Sequence, residues 1–182
     1  MQFIQPHITF VITSLTLLSN IVFVLVLLLT LFNQQFRIWL YSFVGEHVIV
    51  LLFVVSLGAM IGSLSYSEIV GFIPCDLCWI QRIFMYPQAI LAFFALLKKD
   101  KNIVAYLLPL SILGAIVSLY QSLIHWRIIS GSFLACTSSL TAPCAKVYVL
   151  SYGYITIPFM AFTCFAYLIA ITLIYYKSKN VR

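Results

Sequence analysis

Charge is what this 182-residue chain has least of: four Asp and Glu with ten Lys and Arg, or 8% of residues, against roughly 25% in an average soluble domain. With 64% of its residues hydrophobic, the composition excludes a water-soluble globular fold and defines an integral membrane protein. Other absences narrow the class. No Lys or Arg precedes the first apolar run, and that run is long, so a cleaved secretory signal is disfavoured. No His follows the second cysteine of the single Cys-x-x-Cys, where Trp79 stands instead, which disfavours c-type haem attachment. There is no nucleotide-cofactor fingerprint, internal repeat, low-complexity segment or second domain.

What is present is a series of apolar runs. Ile8 to Phe32 carries no charge and is long enough to cross a hydrocarbon core of roughly 30 Å. Asn33 to His47, with Arg37, Trp39, Tyr41 and Glu46, reads as a linker suited to the membrane interface, part of it a short interfacial helix. The second span is expected over Val48 to Tyr66. Its Gly58 and Gly62 stand at the spacing that lets a neighbouring helix approach closely. The third span, Cys78 to Leu97, contains Pro87 and is expected to kink there; the fourth, Asn102 to His125, contains Pro109. Between them the Lys98 to Lys101 turn is short enough to force an antiparallel hairpin. Trp126 to Tyr154 is the one long loop, and the fifth span, Ile155 to Tyr176, has Pro158 near its first turn, where proline is tolerated.

Five spans place Arg37, Lys98, Lys99, Lys101, Lys177, Lys179 and Arg182 on one side, which the positive-inside rule makes cytoplasmic. The net charge of +6 follows from this bias and calls for no nucleic acid. Cys75, Cys78, Cys136 and Cys144 then share the exterior side, where disulfides persist, while Cys164 lies alone in the last span as a packing residue. Two dithiols favour disulfide chemistry over a four-thiolate zinc site, because an oxidising compartment does not keep four such thiols reduced.

The stretch from Pro74 to Arg82 concentrates the chemistry. A helix beginning near Cys78 would put that sulfur at the positive end of the macrodipole, and Arg82, four residues on, would lie on the same face. Both effects favour the thiolate. An arginine within an apolar helix also needs a polar partner: a thiolate, a lipid headgroup or a quinone carbonyl. Two dithiols suggest a relay, in which a flexible external pair reaches a soluble partner and a fixed pair reaches a lipid-soluble acceptor. A membrane quinone is the natural acceptor.

The runs Ser65-Tyr66-Ser67-Glu68-Ile69, Phe72-Ile73-Pro74-Cys75-Asp76-Leu77-Cys78-Trp79 and Gln81-Arg82-Ile83-Phe84-Met85-Tyr86-Pro87 resemble the DsbB/BdbC family of quinone-dependent disulfide-forming membrane proteins, nearest its BdbC branch. Pro143-Cys144 and Tyr154-Ile155-Thr156-Ile157-Pro158-Phe159 resemble the same branch, and the likeness extends over roughly Val48 to Tyr176. It implies an all-α integral membrane protein: a four-helix transmembrane bundle of DsbB type with one additional N-terminal transmembrane helix. Residues 1–47 would be the extra helix and linker, 48–176 the redox core and 177–182 a basic cytoplasmic tail.

The resemblance further implies an enzyme of the bacterial cytoplasmic membrane that reoxidises an extracytoplasmic DsbA-like thioredoxin-fold partner and reduces ubiquinone or menaquinone. Cys75 and Cys78 match its quinone-linked pair, Arg82 its quinone-contacting arginine, and Cys136 and Cys144 its shuttle pair. Cys136 would meet the partner and Cys144 would exchange with Cys75. Two departures stand out: the first span has no counterpart, and Gln121 occupies a position where a histidine is expected, with His125 one turn later as a substitute quinone-site residue. Competing readings are a vitamin K epoxide reductase-like enzyme and a redox-inert structural or transport subunit whose disulfides only staple loops.

Overall fold

A computed structural model describes residues 4–129, 144 and 146–181. Five helices dominate: α1 (Ile4–Phe32), α2 (Gln34–Leu64), α3 (Asp76–Lys98), α4 (Val104–His125) and α5 (Ile157–Val181). Each is long and apolar enough to cross a membrane, so the protein is a multi-pass membrane protein. Among the described residues the pairing of extended backbone is limited to one bridge, Ser151 with Ile155.

Helices α2 to α5 form the bundle. Its core joins Val48, Ile49 and Leu52 of α2, Met85, Ala92 and Ala95 of α3, Val104 and Leu107 of α4, and Phe165 and Leu168 of α5. In lipid such helices gain little from hydrophobic burial alone, so close packing and internal hydrogen bonds hold them together. Gly114 of α4 illustrates the packing: the ring of Phe165 fills the space that a Cβ there would need. Ser111 Oγ donates to Gln88 Oε1 at 2.8 Å, tying α4 to α3 inside the core. The turn between these helices is as tight as expected. Lys99 takes the left-handed conformation (φ 53°) that ends α3, and Asp100 caps a short 3-10 turn, Lys101–Ile103, that leads into α4. Lys101 Nζ reaches back to the Gly45 carbonyl at 2.7 Å.

Helix α1 lies outside this bundle and is held by polar contacts. Ser14 Oγ meets Tyr152 Oη at 3.0 Å and Ser19 Oγ meets Tyr167 Oη at 3.1 Å. Tyr167 also donates to Asn20 Oδ1 and packs its ring on Phe23.

The structure differs from the sequence expectations in four places. Asn33 to His47 is not a linker: Asn33 alone separates α1 from α2, and its Oδ1 accepts from Gln35 N (3.0 Å) and Phe36 N (3.1 Å), an N-cap that starts α2 immediately. α2 then continues through a π-helical turn, Ser65–Ile69, so that one 36-residue helical run spans Gln34–Ile69. α3 begins at Asp76 rather than near Cys78. Gly58 and Gly62 do not seat a neighbouring helix, since a Cβ at either would meet nothing within 4 Å.

Candidate functional site

The site is built where α3 begins. Glycine at position 71 takes a positive φ (78°), and Phe72 N donates to the Tyr66 carbonyl at 3.0 Å, folding the chain back from the π-helical turn. Phe72 then stacks between Tyr66 (centroids 6.0 Å) and Tyr148 (4.8 Å). This aromatic stack ties the segment before the dithiol to the segment after Cys144. Cys75 is the N-cap of α3, extended at φ −79° and ψ 172°, and its carbonyl accepts from Trp79 N at 3.1 Å. Cys78 therefore occupies the third helical position. The earlier helix start keeps its sulfur within the first turn, where the macrodipole favours an anion.

Cys75 and Cys78 are both free thiols, with sulfurs 3.0 Å apart. The hydrogen bond to Cys78 and then burial push the Cys75 thiol well above the ordinary cysteine range. Gln121 of α4, 1% exposed, faces both sulfurs: its Nε2 lies 3.1 Å from Cys75 Sγ and 3.5 Å from Cys78 Sγ. Its carbonyl is occupied from the other side by Gln81 Nε2 at 2.6 Å. Gln81 thus orients the Gln121 amide so that its donors face sulfur.

Among the described residues Arg82 pairs with no carboxylate. Its Nε donates to Ser63 Oγ (3.0 Å) and its Nη2 to the Ser63 carbonyl (3.2 Å), while Tyr86 Oη donates to the same hydroxyl at 3.2 Å. The guanidinium also sits over the Trp79 ring, 5.1 Å from its centroid. The polar partner that an arginine in an apolar helix requires is therefore supplied by α2. Of the five N–H donors of a guanidinium, Ser63 engages two atoms' worth, and both lie on the α2 side.

Cys144 is 2% exposed, is disulfide-bonded, and shares one buried cluster with Cys75, Leu77 and Ile124. His125 holds it there: its Nε2 donates to the Cys144 carbonyl at 2.9 Å, and its Nδ1 is buried without a partner among the described residues. Cys136 lies outside the described residues. Cys75, Cys78, Arg82, His125 and Cys144 thus come together at one end of the bundle. Four of them, Cys75, Cys78, Arg82 and His125, also line a cavity of about 640 Å³ with a mostly apolar wall that continues between α1, α2 and α5, where Cys164 joins it.

Sequence reasoning did not find Ser63 or Gln81, and it noted Gln121 only as a departure from a pattern. A signal existed for the two glutamines, because a buried amide in a membrane span needs a partner. Ser63 had none: a serine in a helix ordinarily bonds its own preceding turn.

A multi-pass helical bundle that presents a paired dithiol, one thiol buried and the other partly buried, beside a third, disulfide-bonded cysteine is a membrane oxidoreductase of thiols and disulfides. The comparisons narrow this class. The family model for disulfide bond formation protein DsbB matches residues 45–175, and the chain belongs to that family. Over 126 residues it is 40% identical to a probable disulfide formation protein C of Halalkalibacterium halodurans, covering 68% of this chain and 89% of that one. It is 41% identical over 133 residues to an SPbeta prophage-derived disulfide bond formation protein B of Bacillus subtilis, covering 72% and 88% of the two chains. It is also 41% identical over 116 residues to disulfide bond formation protein C of Bacillus subtilis, covering 64% and 83%. No solved structure matches the chain. Its role is accordingly in disulfide bond formation.

Proposed function

We propose that this protein takes electrons from an extracytoplasmic DsbA-like thioredoxin-fold protein and passes them to a membrane quinone, ubiquinone or menaquinone. The observation that carries the reading is the shared position of the dithiol: Cys75 and Cys144 lie in one buried cluster, and Cys75 and Cys78 also border the apolar cavity. One side of the pair thus adjoins Cys144, the proposed shuttle cysteine, and the other adjoins the cavity, the proposed quinone space.

The exchange balances as follows. A thiolate of the reduced partner attacks the Cys136–Cys144 disulfide, and the partner leaves oxidised after its second thiol displaces the mixed disulfide. The freed Cys144 thiolate attacks Cys75 of the Cys75–Cys78 disulfide, expelling Cys78 as thiolate. Cys136 then resolves the Cys144–Cys75 bond, which leaves the loop pair oxidised and the α3 pair as a dithiol. Re-forming the Cys75–Cys78 disulfide releases two electrons and two protons. A bound quinone supplies the two-electron, two-proton acceptor that no side chain of the protein can provide.

The residues at the cavity suit such a group. Arg82 provides polar contacts at one end of a mostly apolar space that His125 also borders, as a flat apolar ring with carbonyl oxygens requires. Gln121, oriented by Gln81, stabilises the developing thiolate at Cys78. His125 keeps Cys144 within the cluster that contains Cys75. Thermodynamics calls for an external acceptor, because an oxidant near about −120 mV must itself be reoxidised by something more oxidising. On this reading both cysteine pairs face the outside of the bacterial cytoplasmic membrane, opposite the lysine-rich turn at Lys98 to Lys101.

The test is anaerobic quinone reduction by the purified protein with a reduced DsbA-like protein as donor. Quinol formation that requires the donor and is lost in Cys78→Ala is the expected result. A folded protein that forms no quinol with any thioredoxin-fold donor overturns it.

A further inference from the structure

The cavity does not end at the dithiol. It extends along α2 to Gly58 and Ala59, and its outer wall is α1. Ile12, Thr16 and Ser19 of α1 border it at spacings of four and three residues, which places them on one helix face. Leu18, 62% exposed, does not border it. The family match begins at residue 45, so this wall comes from a part of the chain outside the matched core.

Two observations show that the space is held open. The polar clamp of Ser19 and Asn20 on Tyr167 fixes α1 to α5 beside the void. The α2 side carries Gly58 and Gly62, yet no side chain or helix comes within 4 Å of where their Cβ atoms would stand. Glycines that admit a close helix neighbour are in contact with it; these border empty volume. A space of about 640 Å³ is within the range that encloses a whole drug-sized ligand, more than a bare quinone ring needs.

We propose that α1 and the Gly58–Gly62 face of α2 form a channel for the isoprenoid tail of the quinone, running from the dithiol between α1 and the bundle, so that α1 selects tailed quinones. This rests on the quinone-linked reading above. The occupant follows from continuity: the same cavity that the dithiol borders is the one walled by α1.

Gly58→Leu and Thr16→Leu, in the full-length protein, fill the channel from its two sides. Open space at Gly58 and the better helix propensity of leucine let the first variant fold. Leu18→Ala, outside the lining, is the control. Two readouts are paired: KM for a long-tailed and a tail-less quinone, and the rise in melting temperature that each quinone produces. The expected result is a KM at least tenfold higher for the tailed quinone with kcat unchanged, no change for the tail-less one, and loss of the thermal stabilisation given by the tailed quinone alone. Equal effects on both quinones, or none on either, overturn the channel. So does displacement of a co-purified phospholipid by the leucines, seen by native mass spectrometry, with tailed-quinone affinity unaltered, for the space would then be a lipid site. If the parent protein reduces neither quinone, the reading of the function fails, while tail-dependent stabilisation still decides the channel.

Discussion

Gln121 donates to both sulfurs while Gln81 occupies its carbonyl, so the reduced dithiol gains hydrogen bonds, strongest to a thiolate, that a closed disulfide would use far less. Hydrogen bonds to charged groups contribute about 1.5–3 kcal/mol. With 30 mV equivalent to about 1.4 kcal/mol, Gln121→Leu should lower the reduction potential of the Cys75–Cys78 pair by about 30–60 mV, measured against glutathione redox buffers. Because Gln81 would be orphaned in that variant, Gln81→Leu/Gln121→Leu separates the loss of the sulfur contact from the cost of an unpaired amide. Gln121→Glu places a negative charge beside the sulfurs and disfavours the thiolate, so its pH–rate profile for exchange should move to higher pH; an unmoved profile would show that residue 121 does not act on sulfur ionisation. The dithiol itself was readable from the chain, because Cys75, Cys78 and Arg82 are local and their spacing carries the chemistry. Gln121 and Ser63 were not, since they meet the dithiol and Arg82 across 43 and 19 residues of sequence, a juxtaposition only the bundle creates.

Helix packing gives graded expectations among the glycines. Gly114→Ala forces the fully buried Phe165 ring to move and should cost about 1–3 kcal/mol. At Gly45 an added methyl meets only the hydroxyl of Ser178, 2.8 Å away at the end of a rotatable side chain, so the cost is smaller. Gly58→Ala meets nothing and gains helix propensity. Melting temperatures in one detergent should therefore rank Gly114→Ala below Gly45→Ala below Gly58→Ala, and a stable Gly114→Ala would contradict the α4–α5 contact. The number of spans and the tight α3–α4 turn were legible because apolar run length and a four-residue basic break are strong signals. The first half of α2 was missed for a physical reason. Its 31 residues extend about 46 Å, beyond a hydrocarbon core of roughly 30 Å, so polarity marked where the membrane ends and not where the helix does.

Across the whole molecule, basic residues gather at the end opposite the dithiol, at Arg37, Lys98, Lys99, Lys101, Lys177 and Lys179. Exposed positions at either end report the orientation directly. In intact cells a membrane-impermeant maleimide should label a Lys146→Cys variant, and should label Lys98→Cys only after permeabilisation; the reverse pattern would put the cysteine pairs inside. The join between α1 and the core has a further consequence. Because Gln34 to Val44 is uninterrupted helix and only Asn33 intervenes, α1 is coupled to the bundle as a shaft is to a gear. Each residue of α2 turns its axis by about 100°, so deleting one residue between Gln34 and Val44 leaves residues 45–175 untouched yet swings α1 through more than a quarter turn. The angular phase of α2 is thereby an inherited setting, and length changes in that stretch retune the outer wall without altering a single cysteine.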